Sequence, residues 1–201
     1  MSPLPCHNTR EVLITNAADE IYIFANETDR YAQGRVAPGP AIRSDALREN
    51  PSPNRTATAE TEAAWICAAV VDAQNRKSIG LGTYRYSWAG NFSNISPVPW
   101  LGAFHWSDLL MIFGTYSTAR GDNYNISQLE VDTSKVMQQY MLGFVKNASA
   151  LPEMGWPLFD ANATSGGMML EFGNLTTVQN VTGNFSDGHC SNQDIPIVID
   201  G

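Results

Sequence analysis

The groups in this chain best suited to moving protons are its three histidines, His7, His105 and His189, because imidazole changes charge near neutral pH. His105 has the most structured setting. It sits in Trp100-Leu101-Gly102-Ala103-Phe104-His105-Trp106-Ser107-Asp108-Leu109-Leu110-Met111-Ile112-Phe113-Gly114. That is a loop flanked by glycine and proline, between an expected strand and an expected short helix. Loops at the ends of α/β sheets are where such enzymes place titratable groups. A histidine there can act as a proton shuttle, or it can be a core-loop residue satisfied by hydrogen bonds. Two carboxylates, Asp19 and Glu20, follow the apolar run Val12-Leu13-Ile14. They suit the first turn of a helix, where the positive end of the macrodipole favours them.

Other chemistries are not supported. The histidines are far apart in sequence, with no His-x-x-x-His, no Cys-x-x-Cys and no mixed cluster, so no metal site is expected. The cysteines are Cys6, Cys67 and Cys190. In an oxidising compartment two of them would pair and one would be left over. A serine nucleophile on a strand-to-helix elbow needs glycine two residues before and two after it. No serine here has both; Ser78 and Ser165, for example, have glycine at +2 alone. Gly166-Gly167 falls too late in the chain for the oxyanion turn that precedes such an elbow.

Composition sets the frame. The chain has 201 residues, 43% hydrophobic and 16% charged, which suits one domain or a large piece of one. Net charge is -8. An acidic surface repels phosphate backbones, so nucleic acid is not an expected partner. No apolar run approaches the roughly 18 residues of a membrane span. Met1 to Arg10 lacks the basic start and apolar stretch of a signal peptide. Sequons point the other way. Asn26, Asn54, Asn91, Asn94, Asn125, Asn147, Asn162, Asn174, Asn180 and Asn184 each begin Asn-x-Ser/Thr without proline between. Chance pairing at this composition gives about two such sites. The excess favours passage through the secretory pathway and N-glycosylation. The expected resolution is that Met1 is not the natural start of the full protein.

The elements that would carry these residues alternate. Glu11–Thr15 predicts a short buried strand. Thr56–Lys77 predicts a helix with Ala59, Ala63, Ile66, Cys67 and Val70 on one face. Gly80–Trp88 predicts a strand, and Asn91–Trp100, with Pro97 and Pro99, a loop. Ser107 is placed to N-cap a helix that runs to Phe113 and stops near Gly114. Gln128–Lys146 predicts a longer helix, Met168–Phe172 a strand, and the tail from Gly183 a polar loop ending in Ile195–Ile199. The alternation favours an α/β architecture in a single unit spanning 1–201, with no internal repeat and no linker.

Gly-Ala-x-His-x-x-Asp-Leu followed by Phe-Gly, formed here by Gly102, Ala103, His105, Asp108, Leu109, Phe113 and Gly114, resembles the segment around the catalytic histidine of type-B (cholinesterase-like) carboxylesterases. That family has the α/β-hydrolase fold and commonly has glycine after the histidine, where this chain has Trp106. Val12-Leu13-Ile14-Thr15-Asn16-Ala17-Ala18-Asp19-Glu20 resembles the strand and turn ending in the family's acid, with Ile21 where the family has glycine. Trp65-Ile66-Cys67 is similar to its Cys-Pro element, with Ala68 in place of proline. Met154-Gly155-Trp156-Pro157-Leu158-Phe159, followed by Met169-Leu170-Glu171-Phe172, looks like its Trp-Pro element and last strand.

The resemblance implies a C-terminal portion of an α/β-hydrolase domain, with an incomplete sheet flanked by helices. It implies Glu20 as the triad acid, His105 as the base, and a Cys67–Cys190 disulfide. It also implies a secreted carboxylic ester hydrolase that needs no cofactor and acts on small-molecule or lipid esters. The serine and oxyanion hole would lie upstream, so this chain alone is expected to be inactive. A non-catalytic cholinesterase-like binding module and an unrelated secreted glycoprotein are the competing readings.

Overall fold

A computed structural model of the chain describes residues 12–17, 65–95, 102–118, 125–160, 165–187 and 190. Its centre is the strand Thr83–Trp88 (β2), whose six residues are all buried. A strand buried on both sides must sit inside a sheet with elements packed over each face. Val12–Ala17 (β1) lies parallel to it on one side. Met168–Phe172 (β3) lies parallel on the other, and Val178–Thr182 (β4) closes antiparallel onto β3. Among the described residues the strand order is β1-β2-β3-β4. This is a small mixed sheet with helices, an α/β arrangement.

Alternation along a strand sends successive side chains to opposite faces. Tyr84, Tyr86 and Trp88 share one face of β2. With Met111, Met137, Leu151, Trp156, Leu170 and Phe172 they form the main core. The helices Ser107–Ile112 (α2) and Gln128–Asn147 (α3) supply Met111 and Met137 to that core. Aromatic rings in it meet edge to face: Trp156 lies 6.0 Å from Tyr86 and 5.4 Å from Tyr140, and Phe172 lies 5.5 Å from Tyr86. This arrangement adds electrostatic attraction to area burial. The Trp156 indole N–H donates to the Arg85 carbonyl at 3.0 Å.

The opposite face holds Thr83, Arg85 and Ser87. Arg85 is fully buried and pairs bidentately with Asp187, at 2.7 and 2.9 Å. Its guanidinium also lies over the Phe159 ring, 4.9 Å from the centroid. Ala73, Phe159, Met169 and Val181 fill the space nearby. Ala73 belongs to the helix Cys67–Ser78 (α1). Cys67, at the start of α1, is disulfide-bonded to Cys190, with Cα atoms 5.0 Å apart, and the pair packs with Ile66 and Val70.

Several boundaries differ from expectation. The described part of the helix expected over Thr56–Lys77 begins with a wider turn at Trp65 and Ile66 before α1. Ser107 does not cap α2: it is the first helical residue, and its hydroxyl donates to the Phe104 carbonyl instead. α2 does stop at Gly114, whose φ of +67° turns the chain so that the Thr115 N–H reaches the Leu110 carbonyl at 2.9 Å. α3 opens on a reciprocal cap. Ser127 accepts from Glu130 N–H at 3.1 Å, and the Glu130 carboxylate takes the Ser127 N–H in return. The tail from Gly183 is not all loop, since it opens with a short helix, Gly183–Ser186 (α4), directly after β4. The segment Ile195–Ile199 lies outside the described residues. No helix among the described residues is long and apolar enough to cross a membrane.

Candidate active site

The loop bearing His105 lies beyond the C-terminal end of β2, the edge at which open α/β sheets hold ligands. Two side chains at that end of the strand fix it. The Trp88 indole N–H donates to Ser107 Oγ at 2.7 Å, and Ser107 Oγ donates to the Phe104 carbonyl at 2.6 Å. The Ser107 backbone N–H also reaches the Phe104 carbonyl, at 3.0 Å, so the turn Phe104–Ser107 is closed twice around His105. One step back along β2, the Tyr86 hydroxyl donates to Asp108 Oδ2 at 2.8 Å. Both aromatic residues bury their rings in the core and spend their polar tips on the histidine loop.

Asp108 is 8% exposed. Burial pushes its carboxyl above the usual range. The Tyr86 hydroxyl, the backbone N–H groups of Asp108 and Leu109 and the charge of His105 pull the other way. Asp108 therefore lies within electrostatic reach of His105. Its Tyr86 bond fixes the first turn of α2, and with it the loop.

His105 is half-buried and has two indoles close to its ring. Its ring centroid is 4.7 Å from that of Trp65, tilted by 49°, and 4.8 Å from that of Trp106, tilted by 32°. Trp65 comes from the wide turn ahead of α1, two residues from the disulfide at Cys67. Trp106 has φ +70° and ψ -2°, in the left-handed region. A Cβ crowds the backbone there at a cost of roughly 1–2 kcal/mol. That is the physical reason a glycine is at ease after such a histidine.

Glu20 and Asp19 lie outside the described residues. The described backbone stops three residues short of Glu20. At its end Ala17 is the register partner of Trp88, so the C-terminal ends of β1 and β2 are level. Among the described residues no group of three or more His, Cys, Asp or Glu could hold a metal ion. Of the sequon asparagines, Asn91, Asn125, Asn147, Asn180 and Asn184 are exposed and Asn174 is half-buried. Asn26, Asn54 and Asn162 lie outside the described residues. Asn94 is 3% exposed, and its Nδ2 donates to the Tyr116 carbonyl at 3.1 Å. A glycan on that nitrogen would have to break this bond and leave the core. All ten sequons look alike in sequence, because a tripeptide carries no burial information.

Sequence reasoning found the histidine loop but missed what holds it. The signal was present in Thr83-Tyr84-Arg85-Tyr86-Ser87-Trp88, whose period-two aromatics mark a face with two polar tips at its end.

No family model matches the chain. Over 150 residues, 70% of the chain, it is 36% identical to chlorogenic acid esterase of Aspergillus niger, and the match covers 29% of that protein. Over 92 residues, 45% of the chain, it is 41% identical to secreted lipase 5 of Gibberella zeae, covering 16% of that protein. The chain thus spans under a third of the length of each of these curated relatives. On these matches, the chain is similar to part of two proteins of the type-B carboxylesterase and lipase family.

Proposed function

We propose that this chain is the C-terminal portion of an α/β-hydrolase domain and contributes the acid–base half of a carboxylic ester hydrolase site. His105 takes the proton of an attacking serine and returns it to the leaving alcohol. Glu20 orients the imidazole and stabilises its protonated form. The serine and the oxyanion donors lie outside this chain. The observation that carries the proposal is the placing of His105 at the C-terminal end of β2, on a loop pinned by Trp88 and Tyr86. The level ends of β1 and β2 support Glu20, which follows β1 by three residues. Three residues reach at most about 11 Å.

The substrate class is a carboxylic ester, by similarity to one relative named for chlorogenic acid and another named a lipase. An extracellular location is supported by the relative named as secreted, by the Cys67–Cys190 bridge and by the exposed sequons, which we propose carry glycans in place of buried Asn94.

The test is hydrolysis of short-chain nitrophenyl esters. The 201-residue chain alone should show none above buffer. A gene product that includes an upstream Gly-x-Ser-x-Gly segment should be active, and His105→Ala or Glu20→Gln should each cost on the order of a thousandfold or more in kcat. Activity in the short chain that His105→Ala abolishes would mean that a nucleophile lies within it. An inactive long product would instead favour a binding module built on the same fold.

A further inference from the structure

Trp106 is an unusual residue in an unusual place. Its backbone is left-handed, with φ +70°, a conformation that for a bulky side chain is a genuine outlier. Such outliers persist only where the surroundings over-determine them, and they cluster at functional sites. Packing within this chain does not explain this one, because the indole is 68% exposed. It does not fill the core, yet it is held beside the residue with acid–base chemistry, its plane within 32° of the His105 ring. Exposed Leu109 and Phe113 continue the apolar surface along α2, at the third and seventh positions after it. Trp65, also close to the His105 ring, has a buried indole N–H with no acceptor. The histidine thus sits beside aromatic side chains, of which Trp106 is exposed in this chain.

We propose that Trp106 is a specificity-determining residue: its indole is a stacking platform for a planar aromatic group of the ester cleaved at His105. This rests on the ester-hydrolase reading above. A flat ring offered to water gains most from another flat ring, through offset stacking on top of the area buried. An aliphatic chain gains the area alone. The left-handed backbone turns the indole to the solvent side of the loop, where an incoming substrate meets it before the histidine.

The same conformation supplies the test. Trp106→Gly suits φ +70° and is expected to fold at least as well as the parent, which circular dichroism checks. In the full-length gene product, three esters are compared: methyl benzoate (ring on the acyl side), phenyl acetate (ring on the alcohol side) and ethyl butanoate (no ring). The ratio of kcat/KM for one aromatic ester over that for ethyl butanoate should fall about five- to tenfold in Trp106→Gly, chiefly through KM, with Trp106→Phe retaining most of it. Which aromatic ester loses shows which side of the bond the platform serves. Ratios unchanged within about twofold, in an enzyme that still hydrolyses all three, overturn the platform and leave the hydrolase reading standing. Saturation-transfer NMR on the 201-residue chain separates the two failures. Methyl benzoate ring protons should receive magnetisation from the parent and not from Trp106→Gly. Equal transfer to both proteins overturns the platform whatever the activity shows.

Discussion

Tyr84, Tyr86 and Trp88 look to one side of β2, and Thr83, Arg85 and Ser87 to the other, and the two sides are closed by different forces. The aromatic side is filled by rings in edge contact, and its polar tips reach out of the core to Ser107 and Asp108. The ionic side is closed by one buried pair, Arg85 with Asp187. The first arrangement tolerates small errors, because many weak contacts share the load. The second depends on two groups finding each other, because an unpaired buried charge costs far more than the pair returns. The proposed chemistry sits on the tolerant side: the histidine loop hangs from the aromatic face, and the ionic face ties in α4, which carries none of it.

Removing one partner of the ion pair should break that comparison most sharply. Asp187→Ala leaves Arg85 charged and buried, and should cost about 3–5 kcal/mol by urea unfolding. A loss under about 1 kcal/mol would be the size of an exposed pair and would mean that water or another group reaches Arg85. On the aromatic side, Tyr86→Phe keeps the ring and removes one hydroxyl. The Asp108 carboxyl loses its buried donor, and stability should fall by about 1–3 kcal/mol. In an active, longer enzyme the same change should lower kcat, because the loop loses its tether. A stability loss without any change in kcat would show that Trp88 and Ser107 suffice to hold His105.

The smallest effect is in pH dependence. The Asp108 carboxyl titrates above its ordinary value of 3.8 because it is buried. The folded state therefore holds this proton more tightly than the unfolded chain. The stabilisation it gives is fully present below that ordinary value and is lost as pH rises through the folded one. Asp108→Asn, which can still accept from Tyr86, should gain steadily on the parent as pH is raised through that window, in melting temperatures taken at successive pH values. A constant difference would mean that Asp108 is not the group responsible.

How far the fold was legible follows the same divide. Met168–Phe172 was read to the residue because five apolar or buried side chains run between turn signals. α3 was read to within one residue because Val136, Met137, Tyr140, Met141 and Phe144 recur at helical spacing. β4 was missed because Val-Gln-Asn-Val-Thr has few large apolar groups. It pairs with β3 alone among the described strands, so its ladder comes from β3 and not from its own burial. The cap at Ser107 was misread because a serine before a helix usually caps it, and here Trp88 claims the hydroxyl from 19 residues away. The loop position of His105 was legible from the glycines and prolines around it. The two indoles close to its ring were not, because Trp65 lies 40 positions upstream and no local pattern links them.

The Arg85–Asp187 pair also sets a clock on the chain's manufacture. The two residues are 102 positions apart, and at a synthesis rate of about 5–20 residues per second Arg85 emerges roughly 5–20 seconds before its partner exists. The disulfide waits longer, since its cysteines are 123 positions apart. Throughout that interval the central strand carries a cation that has nowhere dry to go. One side of the sheet therefore has to stay wet until Asp187 has been made, and a ribosome that stalls before Asp187 releases a product whose middle cannot close.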